Sequence, residues 1–187
     1  MGSGILFGML KLVDPALELQ TSFLETWQEV QEAGEDAQSW FNWGRDETID
    51  ELRDPETFRS WIESMKEFRD VKSRVAEDGT ILVGNTVLWP VLDGEVIGRV
   101  SIRHELTPAL LEIGGHIGYI VRPKYRMLGH ATELLRQSLQ VAKRLGIDPA
   151  LVTCDESNVG SRKVIETNGG VLEDVRFEKR RYWVPTS

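Results

Sequence analysis

The run IGYIVRPKYRMLGHATELL, residues 117–135, changes its period half-way along. Its opening reads as a strand that stops at Val121-Arg122-Pro123. From residue 129 apolar residues recur at helical spacing, at 131, 134, 135, 139, 142 and 145, until Gly146. A strand turning into a helix leaves the first amides of that helix without acceptors. Such amides, together with the helix dipole, form an anion site. Gly129 allows a backbone conformation that most residues resist, Ala131 keeps the approach open, and Arg126 can add a forked positive donor. The spacing Arg126-x-x-Gly129-x-Ala131 is neither the G-x-x-x-x-G-K-[ST] of a nucleoside-triphosphate loop nor the G-x-G-x-x-G of a dinucleotide fold. Taken alone, such a loop is more often a plain connection than a phosphate seat.

The surrounding chain supplies context. Downstream, residues 150–154 form a short apolar strand and 158–168 a helix closed by Gly169-Gly170; 171–175 and 180–184 are strands. Upstream, residues 86–92 and 96–102 are strands joined by the hairpin signal Asp93-Gly94, and 111–121 is a third strand region loosened by glycines. Residues 16–33 read as a helix, and Asp54-Pro55-Glu56 opens another, with Asp54 as cap and Pro55 at the first helical position. Strand and helix alternate in the second half while the first adds an antiparallel meander. The pattern predicts an α/β domain with a mixed sheet and helices on both faces.

Composition excludes several classes. With 22 basic against 30 acidic residues the net charge is −8, which disfavours a grip on nucleic acid. No segment reaches the ~20 apolar residues of a membrane span. Cys154 is the only cysteine, so no internal disulfide forms and a reducing cytoplasm is the simplest setting. Residues 1–8 read as a leader or added segment before one domain over 9–187, with Met9 a plausible natural start. The three histidines and scattered acids show no metal-ligand spacing.

Residues 117–131 resemble the acetyl-CoA signature of the GNAT superfamily of N-acetyltransferases, in which a strand ending in Val-x-Pro leads to [Q/R]-x-x-G-x-[G/A]. Residues 158–169, NVGSRKVIETNG, resemble that family's N-x-x-[AS]-x-x-[LV]-x-x-x-x-G helix. The two elements in this order are far more specific than either alone. The likeness covers about residues 80–185 and is looser over the N-terminal helices; RHELTPALLEIGGHIGY also resembles a bacterial subgroup of predicted acetyltransferases. It implies a GNAT-type, mostly antiparallel central sheet and transfer of acetyl from acetyl-CoA to a primary amine within a ternary complex. The pyrophosphate would then lie on the amides of Met127, Leu128, Gly129, His130 and Ala131, with Arg126 beside them. The pantetheine arm would pair with the backbone of Tyr119, Ile120 and Val121, and Asn158 would reach it from the next helix. The acceptor is a small-molecule amine or a protein or peptide amine; homodimers are common in the superfamily.

A lysine-like amine is neutral in only about 1 molecule in ~2,500 at pH 7, so the reaction needs a proton acceptor, and the leaving thiolate needs a donor. Glu112 and His116 are the base candidates; they share a face if 111–121 is a regular strand, which Gly114-Gly115 can spoil. His104 and Glu105 are second choices. Many relatives carry a Tyr acid seven residues after the helix Asn, where this chain has Ile165. Ser161 is the acid candidate, with Tyr119 and Tyr125 as alternatives. Cys154 reads as a buried small hydrophobe. Trp40-Phe41-Asn42-Trp43 could line an acceptor pocket, and Arg180-Arg181 reads as a solvated pair. The absent Tyr also keeps a second reading open, an acetyl-CoA-binding sensor or partner module without turnover.

Overall fold

The structure is a computed structural model and describes residues 8–41, 46–75, 79 and 81–187. Ten strands are present among them: β1 (Lys11–Val13), β2 (Arg74–Val75), β3 (Ile81–Leu82), β4 (Asn85–Leu92), β5 (Glu95–Val96), β6 (Gly98–Arg103), β7 (Ile117–Val121), β8 (Ala150–Asp155), β9 (Val171–Arg176) and β10 (Lys179–Val184). The α-helices are α1 (Gln20–Glu32), α2 (Ala37–Phe41), α3 (Pro55–Arg69), α4 (Pro108–Glu112), α5 (His130–Arg144) and α6 (Val159–Thr167). The main sheet runs β1-β4-β6-β7-β8-β10-β9, with β5 folded onto β4, while β2 and β3 form a separate ribbon. Every pairing in the main sheet is antiparallel except β7 with β8.

Alternation on the strands splits the core into two layers. Leu88, Val100, Ile102, Ile117 and Val121 turn towards α5 and α6, where they meet Leu134, Leu135, Leu139 and Ile165. Val87, Trp89 and Ile120 turn the other way, onto Phe23, Trp27, Phe58 and Trp61 of α1 and α3. Phe23 stacks on Trp89 with centroids 4.5 Å apart, so the second layer is an aromatic cluster. The mixed sheet with helices on both faces is as the sequence pattern predicts, and its mostly antiparallel order is as the family resemblance implies.

Local signals explain the element ends. Asp54 accepts from the Thr57 amide at 2.8 Å and Pro55 opens α3. Asp93 and Gly94 both adopt positive φ, 51° and 84°, as a tight two-residue hairpin requires. The predicted helix over 16–33 begins instead as a single 3-10 turn at Leu17–Leu19 before α1.

The strand expected over 111–121 needs correction, because Leu111 and Glu112 belong to α4 and the strand begins only at Ile117. Thr107 caps this helix, its hydroxyl accepting from the Leu110 amide at 3.1 Å, and Pro108 sits at the first position. That is the same start signal as Asp54-Pro55, hidden here by the apolar residues that follow. Gly114 and Gly115 then take positive φ, 108° and 62°, and reverse the chain into β7.

Candidate functional site

The site is organised by a defect in the sheet. Pairing of β6 with β7 continues from Ile102↔Ile117 to Gly98↔Val121. Pairing of β7 with β8 is confined to Ile117↔Val152. Beyond that point the two parallel strands diverge. The Arg122 amide donates to Ile97 O at 2.7 Å and the Arg103 amide to His116 O at 2.8 Å. This phase makes residues 118 and 120 bond β6, so the backbone groups of Tyr119 and Val121 face the gap. Val121 O is taken by Arg126 Nε at 2.7 Å, and among the described residues the pairing with β8 does not extend to Tyr119 or the Val121 amide.

Glycine geometry creates the opening. An added Cβ on Gly115 would stand 2.4 Å from Leu151 O, so only glycine lets the bulge lie against β8. The His116 amide donates to Leu151 O at 2.7 Å and the Leu151 amide donates to His116 Nδ1 at 2.9 Å. These bonds pin the two strands together immediately before they part.

At the far end of the gap the chain turns through Pro123–Tyr125 into α5. Met127 and Gly129 adopt positive φ, 61° and 84°, and Gly129 caps the helix. Among the described residues no acceptor meets the amides of Met127, Leu128, Gly129, His130 or Ala131. Five successive N–H groups without acceptors at a helix start have the geometry that can receive an anion. Met127 and Leu128 expose their side chains, so the loop presents backbone to whatever it binds. Arg126 departs from expectation: its Nη1 and Nη2 hold the Glu35 carboxylate, the latter at 3.1 Å, and its Nε holds Val121 O. It braces the loop against the segment between α1 and α2 and is not a spare phosphate donor. Arg122 is a second brace, 3% exposed and gripping both Glu29 oxygens at 2.8 Å with Glu95 at 3.3 Å.

Other predicted residues are dispersed. Asn158 caps α6, its Oδ1 accepting from the Ser161 amide at 2.9 Å. Ser161 lies beside Tyr119 across the gap, although the enclosed Tyr119 hydroxyl makes no well-formed hydrogen bond. Burial pushes the Tyr119 phenol up to about 12, so it holds its proton firmly. Glu112, carried on α4, is bound by Arg176 Nη1 at 3.0 and 3.2 Å on the β9 side. His116 is buried, and desolvation followed by the nearby Arg103 charge lowers its pKa to about 4. Its Nδ1 lone pair is already used by the Leu151 amide, which places the proton of the neutral ring on Nε2. The structure therefore separates Glu112 from His116, and neither is free to act as expected. His104 contacts Thr86 Oγ1 at 2.8 Å, and Glu105 is exposed. Ile165 is fully buried core. Burial also raises the Cys154 thiol. Arg180 pairs with Glu156, but Arg181 corrects the reading of a solvated pair: it is 2% exposed and held by Asp174 at 2.7 Å and Glu173 at 3.0 Å.

On the opposite face of the sheet, a cavity of about 710 Å³ lies between β6, α3 and α4. Phe41, Met65, Phe68 and Val87 give it apolar walls, and Arg99 and Arg103 of β6 enter it. Of the predicted aromatic quartet, Phe41 reaches this cavity, Trp40 is partly exposed, and Asn42 and Trp43 lie outside the described residues.

Residues 28–171 match a family model described as an acetyltransferase (GNAT) domain. The chain belongs to the GNAT acetyltransferase family. Solved structures of the same fold include Mycobacterium smegmatis RimJ in complex with CoA-disulfide, 18% identical, covering 95% of this chain and 81% of that one with a TM-score of 0.63. The microcin C7 self-immunity acetyltransferase MccE, in complex with acetyl-CoA and AMP, is 14% identical with a TM-score of 0.62, covering 92% and 90%. An N-acetyltransferase from Staphylococcus aureus Mu50 is 16% identical with a TM-score of 0.60, covering 96% and 99%. A search of curated proteins returns no match. Among the described residues of this GNAT protein no helix is long and apolar enough to cross a membrane, and no cluster of His, Cys, Asp and Glu is placed to hold a metal.

Proposed function

We propose that the protein transfers acetyl from acetyl-CoA to a primary amine by direct attack within a ternary complex. The observation that carries this reading is the coincidence of two vacancies in backbone hydrogen bonding. The β7 edge around Tyr119 and Val121 is open along the parting strands, and five free amides stand where that edge ends. An extended amide-bearing arm ending in a pyrophosphate matches both at once. In this reading Met127–Ala131 hold the pyrophosphate, Tyr119–Val121 pair with the arm, and the side-chain Nδ2 of Asn158 reaches it from the start of α6.

Acetyl-CoA supplies the activated acyl group; the acceptor nitrogen forms the new C–N bond as the C–S bond breaks. The chain's part is to orient the donor and to return a proton to the sulfur. Tyr119 and Ser161 are the proposed proton source, because a phenol near 12 with no settled acceptor is protonated throughout the working pH range. Removal of the amine proton is assigned to water, since Glu112 is bound to Arg176 and the basic nitrogen of His116 is occupied.

The test is thiol release from acetyl-CoA across a panel of small amines, peptides and proteins. Acceptor-dependent release supports transfer. Tight acetyl-CoA binding with no release for any acceptor favours the alternative, a sensor or partner module. That alternative draws on Ile165, which occupies the position of the common Tyr acid and is sealed in the core.

A further inference from the structure

Buried arginines elsewhere in this chain follow one rule. Arg122 is 3% exposed and meets Glu25, Glu29 and Glu95; Arg181 is 2% exposed and meets Glu173 and Asp174. Arg99 breaks the rule. It is 8% exposed, yet among the described residues its partner is neutral, the Trp40 carbonyl at 2.8 Å from Nη1, and its Nε has none. A guanidinium withdrawn from water without a counter-charge is costly. Burial and the neighbouring Arg103 charge draw its pKa down to about 10, so it remains cationic at neutral pH.

Arg99 does not face packed core. It lines the 710 Å³ cavity, as does Arg103 two residues along the same strand. No described residue lining that cavity is acidic; beyond the two arginines its polar side chains are Ser64, Asn85 and Thr107. This is a concentrated positive site in a chain of net charge −8. Arg103 also approaches β7, the strand that borders the gap. A Cβ on Gly118 would sit 3.5 Å from Arg103 Nη1, so Arg103 stands over the β7 residue beside the opening at Tyr119.

We propose that this cavity receives the acceptor, and that the acceptor is a small amine carrying an anionic oxygen group, carboxylate or phosphate, on an apolar body, with Arg99 as the residue that holds the anion. The proposal rests on the acetyltransferase reading given above. The apolar walls take the body of the molecule, and a volume of this size suits a small molecule. The cations have a second consequence. They disfavour the ammonium form of the incoming amine and raise the fraction that is nucleophilic, in a cavity whose described walls offer no carboxylate base.

The experiment compares matched probes: 4-(2-aminoethyl)benzoate against its benzamide, and O-phosphotyramine against tyramine. Binding to protein saturated with CoA is read by thermal shift, and turnover by thiol release. At least one anionic probe is expected to bind ~10- to 100-fold more tightly than its neutral partner, as charge-assisted hydrogen bonds to a buried arginine provide. The benzoate and phosphate arms show which anion is preferred. Arg99→Met is expected to erase the preference while keeping its stabilisation by CoA; Arg99→Lys is expected to restore part of it. Equal binding of charged and neutral partners, no binding of either anionic probe, or a preference unchanged in Arg99→Met would overturn the proposal. Failure of the acetyltransferase reading looks different: CoA itself would not stabilise the wild type, or an anionic probe would bind without thiol release.

Discussion

Replacing Gly115 by Ala tests the bulge that opens the sheet. An alanine Cβ would lie 2.4 Å from Leu151 O and 2.9 Å from its carbon, where real Cβ contacts essentially never fall below 3.0 Å. Strand β8 must therefore retreat by at least ~0.6 Å at a backbone atom, which no side-chain rotation can relieve. The retreat strains two bonds across the junction, His116 amide to Leu151 O and Leu151 amide to His116 Nδ1. Alanine must also hold φ near 62°. The left-handed conformation costs roughly 1–2 kcal/mol and each lost hydrogen bond about 0.5–1.5, so the variant should lose about 2–5 kcal/mol. For a chain of this length that is a fall in Tm of roughly 4–20 °C. Gly118→Ala is the control three residues away. Its nearest neighbour would be Arg103 Nη1 at an ordinary 3.5 Å, so its loss should stay below about 1 kcal/mol. Differential scanning calorimetry of the two variants decides it. Equal stability of Gly115→Ala and Gly118→Ala would refute the claim that glycine at 115 sets the junction.

Four further outcomes follow from the same geometry. His116 has a folded pKa near 4 against 6.5 unfolded, so the unfolded state binds the extra proton and stability falls as pH drops from about 6.5 to 4. Its share is ~3 kcal/mol at most, and His116→Gln should flatten that part of the urea-derived pH profile; an unchanged profile would contradict the buried neutral ring. Ser161→Ala and Tyr119→Phe should each lower kcat, by roughly tenfold or more, while acetyl-CoA affinity holds; loss of affinity alone would remove them as proton donors. Met127→Ser and Leu128→Ser should leave acetyl-CoA affinity within about threefold by calorimetry, because exposed side chains there are not the binding groups, and a large loss would contradict a backbone site. Arg122→Met should cost about 2–4 kcal/mol in chemical unfolding, with the pH dependence from Glu29 lost as well, since Arg122 holds that carboxyl below its usual range; a neutral effect would show the brace to be idle.

Much of this was legible in the sequence because local chemistry and tertiary structure agree. Asp54-Pro55, Asp93-Gly94 and Gly129 each dictate a turn or cap, and each appears where its chemistry requires. The free amides of Met127–Ala131 follow from the strand-to-helix turn itself. What the sequence concealed depends on distant partners. Leu111 and Glu112 read as strand because the Thr107-Pro108 start signal precedes a run whose apolar spacing suits either state. Arg99, Ser101 and Arg103 alternate with Val100 and Ile102, the ordinary pattern of a strand with one wet face. Only the fold shows that α3 and α4 cover that face and turn its arginines into a cavity lining. Arg126 misled for a related reason: Glu35, 91 positions earlier, claims its guanidinium.

In the proposed function the β7–α5 turn, with its free amides and left-handed Gly129, holds acetyl-CoA. Isothermal titration of acetyl-CoA against the wild type and Gly129→Glu tests it most directly, with circular dichroism confirming that the variant is folded. Gly129 has φ +84° and open space where a Cβ would go, so a side chain there strains the turn and sets a carboxylate beside the amides without disturbing packed core. Saturable binding by the wild type is expected, with affinity at least ~10-fold weaker in the variant. Equal affinity in the two proteins would contradict it.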